Sequence, residues 1–235
     1  RILLTSCASR RRMSAPSPLD WSHMTRASLD PGWFDLTSFE AQVFSENGED
    51  GVLERLLQLV GETNRFCVEL GVGDGKVCIT RRLVEQCGWQ GVWIDAKPQP
   101  DPRIRSAWVQ ADTVNSLLRE GGVPQQFDVL SIDLDGNDYW VWRALQYRPR
   151  VVVIEYNAGI PIAEDRTVPY DAQFRWDGTD YFGASLRALE RLGRMKGYGL
   201  VYCESMGVNA FFVSQSLLDR GSLPDLATVY RPPRY

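Results

Sequence analysis

The sequence predicts an α/β fold: a Rossmann-like, seven-stranded, mostly parallel sheet with helices on both faces and a C-terminal antiparallel hairpin. The main observation is an alternation of short apolar runs with stretches of helical periodicity, which is typical of a sheet with crossover helices. A second observation is a run of glycines directly after the first apolar run, where the chain of such a sheet turns toward a ligand. At 235 residues the chain is long enough to bury one core of this kind.

Each element follows from its periodicity. The fourth apolar run is nearly continuous, as expected for a central strand that is covered on both faces. The predicted strands are residues 66–70, 91–95, 107–110, 127–133, 151–155, 200–204 and 209–213. Apolar residues at helical spacing predict helices over residues 50–60, 80–86, 114–119, 139–145 and 183–192.

Two stretches lack such periodicity. Residues 156–181 are predicted to be a long loop, and their aromatic residues favour a binding segment over a disordered one. The last residues are predicted to be a tail. Residues 1–18 contain four arginines and no acid, so we expect residues 1–24 to be a poorly structured leader or a cloning-derived extension, and residues 25–235 to be a single domain.

Composition excludes several kinds of site. The only histidine, His23, lies in the leader, so Ser-His-Asp catalysis, Cys-His catalysis and histidine-based metal sites are not expected. A general base must then be Asp, Glu, Tyr, Lys or a metal-bound group. The five cysteines form no Cys-x-x-Cys pair, which favours a reduced, cytoplasmic setting without zinc or disulfides.

Charge and hydropathy limit the partners. A net charge of −4 gives no positive field for phosphate backbones, so a nucleic acid is not an expected partner. No apolar stretch reaches the roughly 18 residues needed to cross a bilayer, so we expect a soluble protein that does not bind membranes. A small molecule is the expected partner, and the sequence leaves a homodimer open.

The most informative motif is Glu69-x-Gly71-x-Gly73-x-Gly75, which follows the first strand. Glycines are needed where the backbone must approach a ligand closely. A dinucleotide fingerprint reads Gly-x-Gly-x-x-Gly, whereas here the third glycine comes one residue early and an acid precedes the first. S-adenosylmethionine has a cationic amino group and no phosphate, and Glu69 is placed to meet that group directly or through water. The motif therefore favours this cofactor, bound at Glu69, Gly71 and Gly73.

Two further acids extend the predicted cofactor site. Asp95 ends the second strand, 20 residues after Gly75, where a carboxylate can accept both ribose hydroxyls. Asp112, with Thr113, follows the third strand and is placed to bind the adenine amino group. Ordinary helix caps and turns are the alternative interpretation, above all for Asp112.

A cluster of carboxylates follows the two central strands. Asp133 and Asp135 come after the fourth strand and Glu155 ends the fifth, so these acids should lie together. Such a cluster either binds a cation or keeps one acid protonated, and both outcomes help to deprotonate a hydroxyl. A helix-capping turn is the alternative for Asp135, Asn137 and Asp138.

Four segments resemble the FkbM-like class I S-adenosylmethionine-dependent methyltransferases. They are residues 45–50 (SENGED), 68–75 (VELGVGDG), 88–95 (GWQGVWID) and 132–138 (IDLDGND). The resemblance implies a class I methyltransferase fold, S-adenosylmethionine as cofactor, O-methylation of a natural product or sugar, and a place for Ser45 in the cofactor site. Residues 78–80 depart from the family's Ser-Asn-Thr, since only Thr80 is kept.

The predicted mechanism is O-methylation of a small-molecule acceptor. Asp133 acts as base or metal ligand with help from Asp135 and Glu155, and the same three residues are the predicted ligands of Mg²⁺ or another divalent cation. The predicted acceptor residues are Asn157, Tyr170, Trp176 and Tyr181. The alternatives are a nicotinamide-dependent oxidoreductase and a non-catalytic binding protein on the same fold.

Overall fold

The computed structural model describes residues 35–218 and 223–235. The predicted leader, residues 1–24, lies outside the described residues, and His23 lies outside them too. The first described element is a 3-10 turn over Thr37–Phe39.

A helix follows each of β1, β3 and β4, as predicted, whereas β2 leads to β3 without one. The strands are β1 (Phe66–Leu70), β2 (Gln90–Asp95), β3 (Ile104–Ser106), β4 (Gln126–Ile132), β5 (Arg148–Glu155), β6 (Tyr198–Cys203) and β7 (Asn209–Ser214). The helices are α1 (Glu49–Val60), α2 (Arg81–Cys87), α3 (Val114–Glu120), α4 (Asp138–Ala144), α5 (Leu186–Lys196) and α6 (Leu226–Val229).

All seven strands form one sheet in the order β3-β2-β1-β4-β5-β7-β6. The first five strands are mutually parallel, and β7 runs antiparallel to both β5 and β6. The predicted fold class, a Rossmann-like, seven-stranded, mostly parallel sheet with a C-terminal antiparallel hairpin, is confirmed. The strand order reverses between β1 and β4, and an open α/β sheet binds its ligand at that switch point, outside the carboxyl ends of the strands.

Apolar side chains from alternate strand positions fill a layer on each face of the sheet. On one face α1 and α2 pack against the strands through residues that include Leu53, Leu56, Leu83, Val129 and Val153. On the other face α3, α4 and α5 pack through residues that include Leu118, Trp142, Leu189, Leu130 and Phe212. Because β4 contributes to both layers, its nearly continuous apolar run is explained.

The third strand differs from the prediction. It covers Ile104–Ser106 and not residues 107–110, and it has three residues. The amide of Ala107 still donates to the carbonyl of Asp95, but the chain then bends into a turn in which Thr113 Oγ1 accepts from the amide of Gln110 at 3.1 Å. Asp112 therefore lies in this turn at the start of α3 and not at a strand end.

The C-terminal residues are not a free tail. They include α6, in which Val229 is buried, and they return to the sheet edge. The hydroxyl of Tyr156 donates to the carbonyl of Arg231 at 2.7 Å, and that of Tyr230 donates to the carbonyl of Ala158 at 2.8 Å. Helix α5 also starts later than predicted, because Ser185 caps it by accepting from the amide of Ala188.

Within residues 35–218 and 223–235, no helix is long and apolar enough to cross a membrane. The four cysteines of this part of the chain are free thiols. Cys67 and Cys203 are buried in strands, and burial raises the pKa of both thiols.

Asp128 connects the chain before β1 to β4, and its loss should be costly. Its buried carboxylate accepts from the amides of Thr63, Asn64 and Arg65 at 2.8 to 3.0 Å. Asp128→Ala should lower the free energy of unfolding by about 3 kcal/mol, because three donors lose their acceptor. Urea unfolding measures the change. Glu120→Ala, which removes an exposed ion pair, should change the free energy of unfolding by less than about 0.5 kcal/mol. An equal effect of both variants would show that Asp128 does not connect the chain before β1 to β4.

Candidate functional site

A cavity of about 570 Å³ lies at the carboxyl edge of the sheet, over the switch point between β1 and β4. Its volume is in the range of small-molecule and cofactor sites. Six of its lining residues are Gly71, Gly73, Asp95, Asp133, Asp135 and Trp176. All six were predicted as site residues, so the structure brings members of the predicted cofactor, catalytic and acceptor sets into one cavity.

The glycine bend has two different functions. Gly71 has φ +88°, and a Cβ there would lie 1.6 Å from the carbonyl oxygen of Asp133, so only glycine allows β1 and β4 to end side by side. Gly73 has φ +55° and nothing within 4 Å of the Cβ position. The backbone of Gly73 therefore faces open space in the cavity and leaves room for a ligand.

Asp95 is joined to the glycine bend. Its Oδ2 accepts from the amide of Gly73 at 2.9 Å, and its Oδ1 accepts from the amide of Lys97 at 2.9 Å and from Nε2 of Gln99 at 3.2 Å. A carboxylate has about four acceptor positions, and these three bonds leave one of them free. Asp95 can therefore accept hydroxyl groups of a ligand in the cavity.

Residues 78–80 donate hydrogen bonds to both carboxyl oxygens of Glu69. Its carboxyl group accepts from the thiol of Cys78 and from the amide and hydroxyl of Thr80, at 2.7 to 3.0 Å, and from the amide of Ile79 at 2.9 Å. Burial raises the pKa of Glu69, and the bonds from Cys78 and Thr80 oppose the rise. Glu69 thus holds the loop after the glycine bend, and it does not line the cavity.

The carboxyl groups of Asp133 and Glu155 lie side by side. Ile132 pairs with Ile154 in the parallel register, so the next residue of each strand falls on the same face. Burial raises the pKa of Asp133 well above its ordinary value, and the nearby acids Asp138 and Asp135 add to the rise. Burial and then Asp133 raise the pKa of Glu155 in the same way.

Asp135 and Asp138 have separate roles. Asp135 has φ +56°, and burial followed by repulsion from Asp95 raises its pKa, so its carboxyl group lies near that of Asp95. Asp138 accepts from the amides of Leu134 and Gly136 at 2.7 and 3.0 Å. The turn interpretation is therefore confirmed for Asp138.

The predicted metal ligands do not come together. In the part of the chain that the structure describes, no three or more Asp, Glu, His or Cys side chains are grouped so that they could hold a metal ion. Asp133 and Glu155 are neighbours, and Asp135 raises the pKa of both, but the acid with the largest effect on Asp135 is Asp95. The residues present do not fit a three-carboxylate metal site, and a metal requirement stays a prediction from the sequence.

Besides Glu69, three residues of the predicted cofactor set lie outside the cavity lining. Ser45 is buried, and its hydroxyl donates to Asp50 at 2.7 Å. Thr113 precedes α3 and bonds to Gln110. Asp112 is exposed and raises the pKa of Tyr170, after the larger effect of burial on that tyrosine. Thr113 lies at the start of a helix, as the alternative interpretation has it. Binding of the adenine amino group by Asp112 stays a prediction.

The long loop covers the cavity, as its aromatic content predicted. Residues 156–181 contain no helix or strand apart from a single bridge at Thr167. Phe174 packs against Gly136, where a Cβ would lie 2.3 Å from the ring. The guanidinium of Arg175 lies 3.4 Å from the ring centroid of Trp108, whose Nε1 donates to the carbonyl of Ala172. These contacts attach the loop to the segments after β3 and β4.

Of the predicted acceptor residues, only Trp176 lines the cavity. Asn157 uses its amide within the loop, since Nδ2 donates to the carbonyls of Asp180 and Phe182 and Oδ1 accepts from Gly159. Tyr170 packs against Trp140, and Tyr181 is 62% exposed beside Phe174. Asn157 therefore shapes the loop, and acceptor contacts of the two tyrosines stay predictions.

Several lining residues were not predicted as site residues. They are Ile94, Ala96, Lys97, Gln99, Trp108, Val109, Leu134, Asn137, Phe174 and Arg175. The residues after Asp95 could have been found from their position beyond a strand end. Trp108 and Arg175 had no such signal, because their contact joins segments that are far apart in the sequence.

Comparisons with known proteins gave only distant likenesses. No protein-family model and no curated protein matches the sequence. The MycE methyltransferase from the mycinamycin biosynthetic pathway, solved with Mg and SAH, has 19% identity and a TM-score of 0.40 over 69% of this chain and 48% of that chain. The chain thus spans about half the length of MycE.

Two shorter proteins are similar at comparable levels. A putative O-methyltransferase from Klebsiella pneumoniae has 16% identity and a TM-score of 0.43, over 80% of this chain and 91% of that chain. An S-adenosylmethionine-dependent methyltransferase from Clostridium acetobutylicum has 10% identity and a TM-score of 0.39, over 72% and 92%.

The close approach at Gly71 can be tested with a matched glycine. Gly71→Ala should lower the free energy of unfolding by about 3 kcal/mol or more, because the new Cβ must displace the Asp133 carbonyl. Gly88→Ala, at φ +72° with nothing within 4 Å, should cost only about 1 kcal/mol for its backbone conformation. Chemical unfolding of both variants measures the difference, and equal costs would show that the two strand ends are not in contact.

Proposed function

We propose that the protein is an S-adenosylmethionine-dependent methyltransferase that O-methylates a small-molecule hydroxyl. The observation that carries the proposal is the joint placement of an open glycine backbone at Gly73 and the carboxylate of Asp95 in one cavity beside Asp133. A nucleoside fits this arrangement, because its ribose hydroxyls need a hydrogen-bond acceptor and the nucleoside itself needs a backbone surface that no side chain blocks.

Charge favours a sulfonium nucleoside over a dinucleotide. Three acids, Asp95, Asp133 and Asp135, line the cavity with two bases, Lys97 and Arg175, so the excess of acids favours a cation over a pyrophosphate. A pyrophosphate is normally held by the N-terminus of a helix that starts at the glycine turn. Here α2 starts only at Arg81, six residues after the last glycine of the motif.

The protein's own part in the chemistry is positioning and proton removal. When bound, the cofactor supplies an electrophilic methyl group. Asp133 lines the cavity beside the glycine bend, so its carboxylate is placed to accept the proton of an acceptor hydroxyl. Its raised pKa makes it a stronger base than an exposed aspartate, and Phe174 and Trp176 of the long loop line the same cavity.

The proposed acceptor is a natural product or a sugar. Phe174 and Trp176 offer apolar ring surface at the cavity, and Asp133 and Asp135 offer hydrogen-bond acceptors beside it. Such a mixture suits a molecule with apolar faces and several hydroxyl groups. No step of this mechanism requires a metal ion.

Calorimetry tests the proposal directly. Titration with S-adenosylhomocysteine should give micromolar binding, and titration with NAD should give none, with or without magnesium. Asp95→Ala should weaken the affinity for S-adenosylhomocysteine about tenfold or more, because a charged hydrogen-bond acceptor is lost. Asp101→Ala, an acid further along the same loop that pairs with Arg103, is the matched control and should leave it unchanged. Binding of NAD in place of S-adenosylhomocysteine would select the oxidoreductase alternative.

Asp133→Asn tests the base. Turnover should fall about 100-fold or more, while the affinity for S-adenosylhomocysteine is kept. In the unsubstituted protein turnover should fall as the pH drops through the raised pKa of Asp133, because the protonated acid cannot accept a proton. Release of S-adenosylhomocysteine over a panel of hydroxylated acceptors measures both. Turnover of Asp133→Asn equal to that of the unsubstituted protein would remove Asp133 from the mechanism.

A further inference from the structure

Asn137, the residue before α4, has a buried side-chain oxygen without a hydrogen-bond partner. The residue is 5% exposed and lines the cavity, and the unpartnered atom is Oδ1. An asparagine at this position commonly accepts a hydrogen bond from the first turn of the helix, but Asn137 makes no such bond. Because a buried acceptor without a donor is costly, Oδ1 needs a donor from outside the helix.

The orientation of the Asn137 amide follows from its other hydrogen bond. Nδ2 donates to the carbonyl oxygen of Asp171 in the long loop at 2.8 Å. A reversed amide would place Oδ1 against that carbonyl, and two acceptors form no hydrogen bond with each other. The acceptor atom is therefore fixed in place before any ligand binds, and a donor that enters from the cavity would satisfy it.

The amide of Asn137 meets the segment after β3 at one short piece of the long loop. The carbonyl of Ala172, the residue after Asp171, accepts from Nε1 of Trp108 at 3.0 Å and from Nε2 of Gln110 at 3.1 Å. Consecutive Cα atoms are only about 3.8 Å apart, so Asn137, Trp108 and Gln110 converge there. Asn137 is thus joined to the β3 side of the cavity, although it follows β4.

The base of the proposed nucleoside falls on the same side. In the proposed function Asp95 after β2 binds the ribose, and the methyl group faces Asp133 after β4. The base then extends from the ribose toward β3, the strand next to β2 at the edge of the sheet. The cavity lining includes the apolar residues Ala96, Val109 and Leu134. Apolar side chains suit the faces of a purine, whose hydrogen-bonding groups lie on its edge.

We propose that Oδ1 of Asn137 accepts a hydrogen bond from the exocyclic amino group of adenine, an inference that rests on the proposed function. The amino group is a donor, whereas guanine has an acceptor oxygen at the same ring position, which Oδ1 would repel. Asn137 therefore makes the site selective for adenine. It takes the role that the sequence predicts for Asp112, which is exposed and lies outside the cavity lining.

The test measures calorimetric affinities for two ligands that differ only in the amino group. They are S-adenosylhomocysteine and its 6-deamino analogue, in which hydrogen replaces the amino group. The unsubstituted protein should bind S-adenosylhomocysteine about tenfold more tightly than the analogue, because Oδ1 of Asn137 loses its donor in the second complex. Asn137→Leu, of similar size, and Asn137→Ala have no acceptor, so the ratio of the two affinities should fall to about one or below.

The matched control removes a loop bond and no cavity acceptor. Gln110→Met loses the donor to the carbonyl of Ala172 but lies outside the cavity lining, so it should keep the ratio of the unsubstituted protein. An unchanged ratio in the Asn137 variants would show that Asn137 acts only through the loop, and it would overturn the inference.

The unsubstituted protein separates this inference from the proposed function. Equal affinities for the two ligands would overturn the role of Asn137 and leave the proposed function intact. Binding of neither ligand would contradict the proposed function and the inference together.

Discussion

The contact between Gly71 and the carbonyl oxygen of Asp133 sets the geometry of the site. It lets the ends of β1 and β4 lie side by side, at the point where the strand order of the sheet reverses. This close approach brings three groups into one cavity. They are the glycine bend, the Asp95 carboxylate that is bonded to Gly73, and the acids after β4. A side chain at position 71 would push these groups apart, and the nucleoside surface would lose its place beside the proposed base.

Burial of acids without nearby cations is the second constraint. Asp133 and Glu155 are neighbours in a region where burial already disfavours charge, and both effects raise the pKa of Glu155. Burial and nearby acids raise the pKa of Asp133 as well, so the proposed base binds a proton more strongly than an exposed aspartate does.

Much of the fold and part of the site could be predicted from the sequence. The glycine spacing and the acid after β2 were sufficient to place Gly71, Gly73 and Asp95 together, because parallel strands of one sheet end at the same edge. Asp133 followed from the same rule. The prediction for the third strand was wrong because the turn around Thr113 competes with strand pairing, and no periodicity reports such a side-chain bond.

The remaining features depend on contacts between distant segments. Glu69 looked free to meet a cation, but residues 78–80 fold back onto it. The hydrogen bond from Asn137 to the carbonyl of Asp171 joins residues that are far apart in the sequence. The contact of Arg175 with Trp108 likewise required the path of the long loop in three dimensions.

A crystal structure of the protein with S-adenosylhomocysteine tests the central claim most directly. We expect the nucleoside to lie against the backbone of Gly73, with its ribose hydroxyls bonded to the carboxylate of Asp95 and its sulfur on the side of Asp133. A nucleoside bound away from Gly71 and Asp95, or density for the ligand elsewhere on the molecule, would contradict the account.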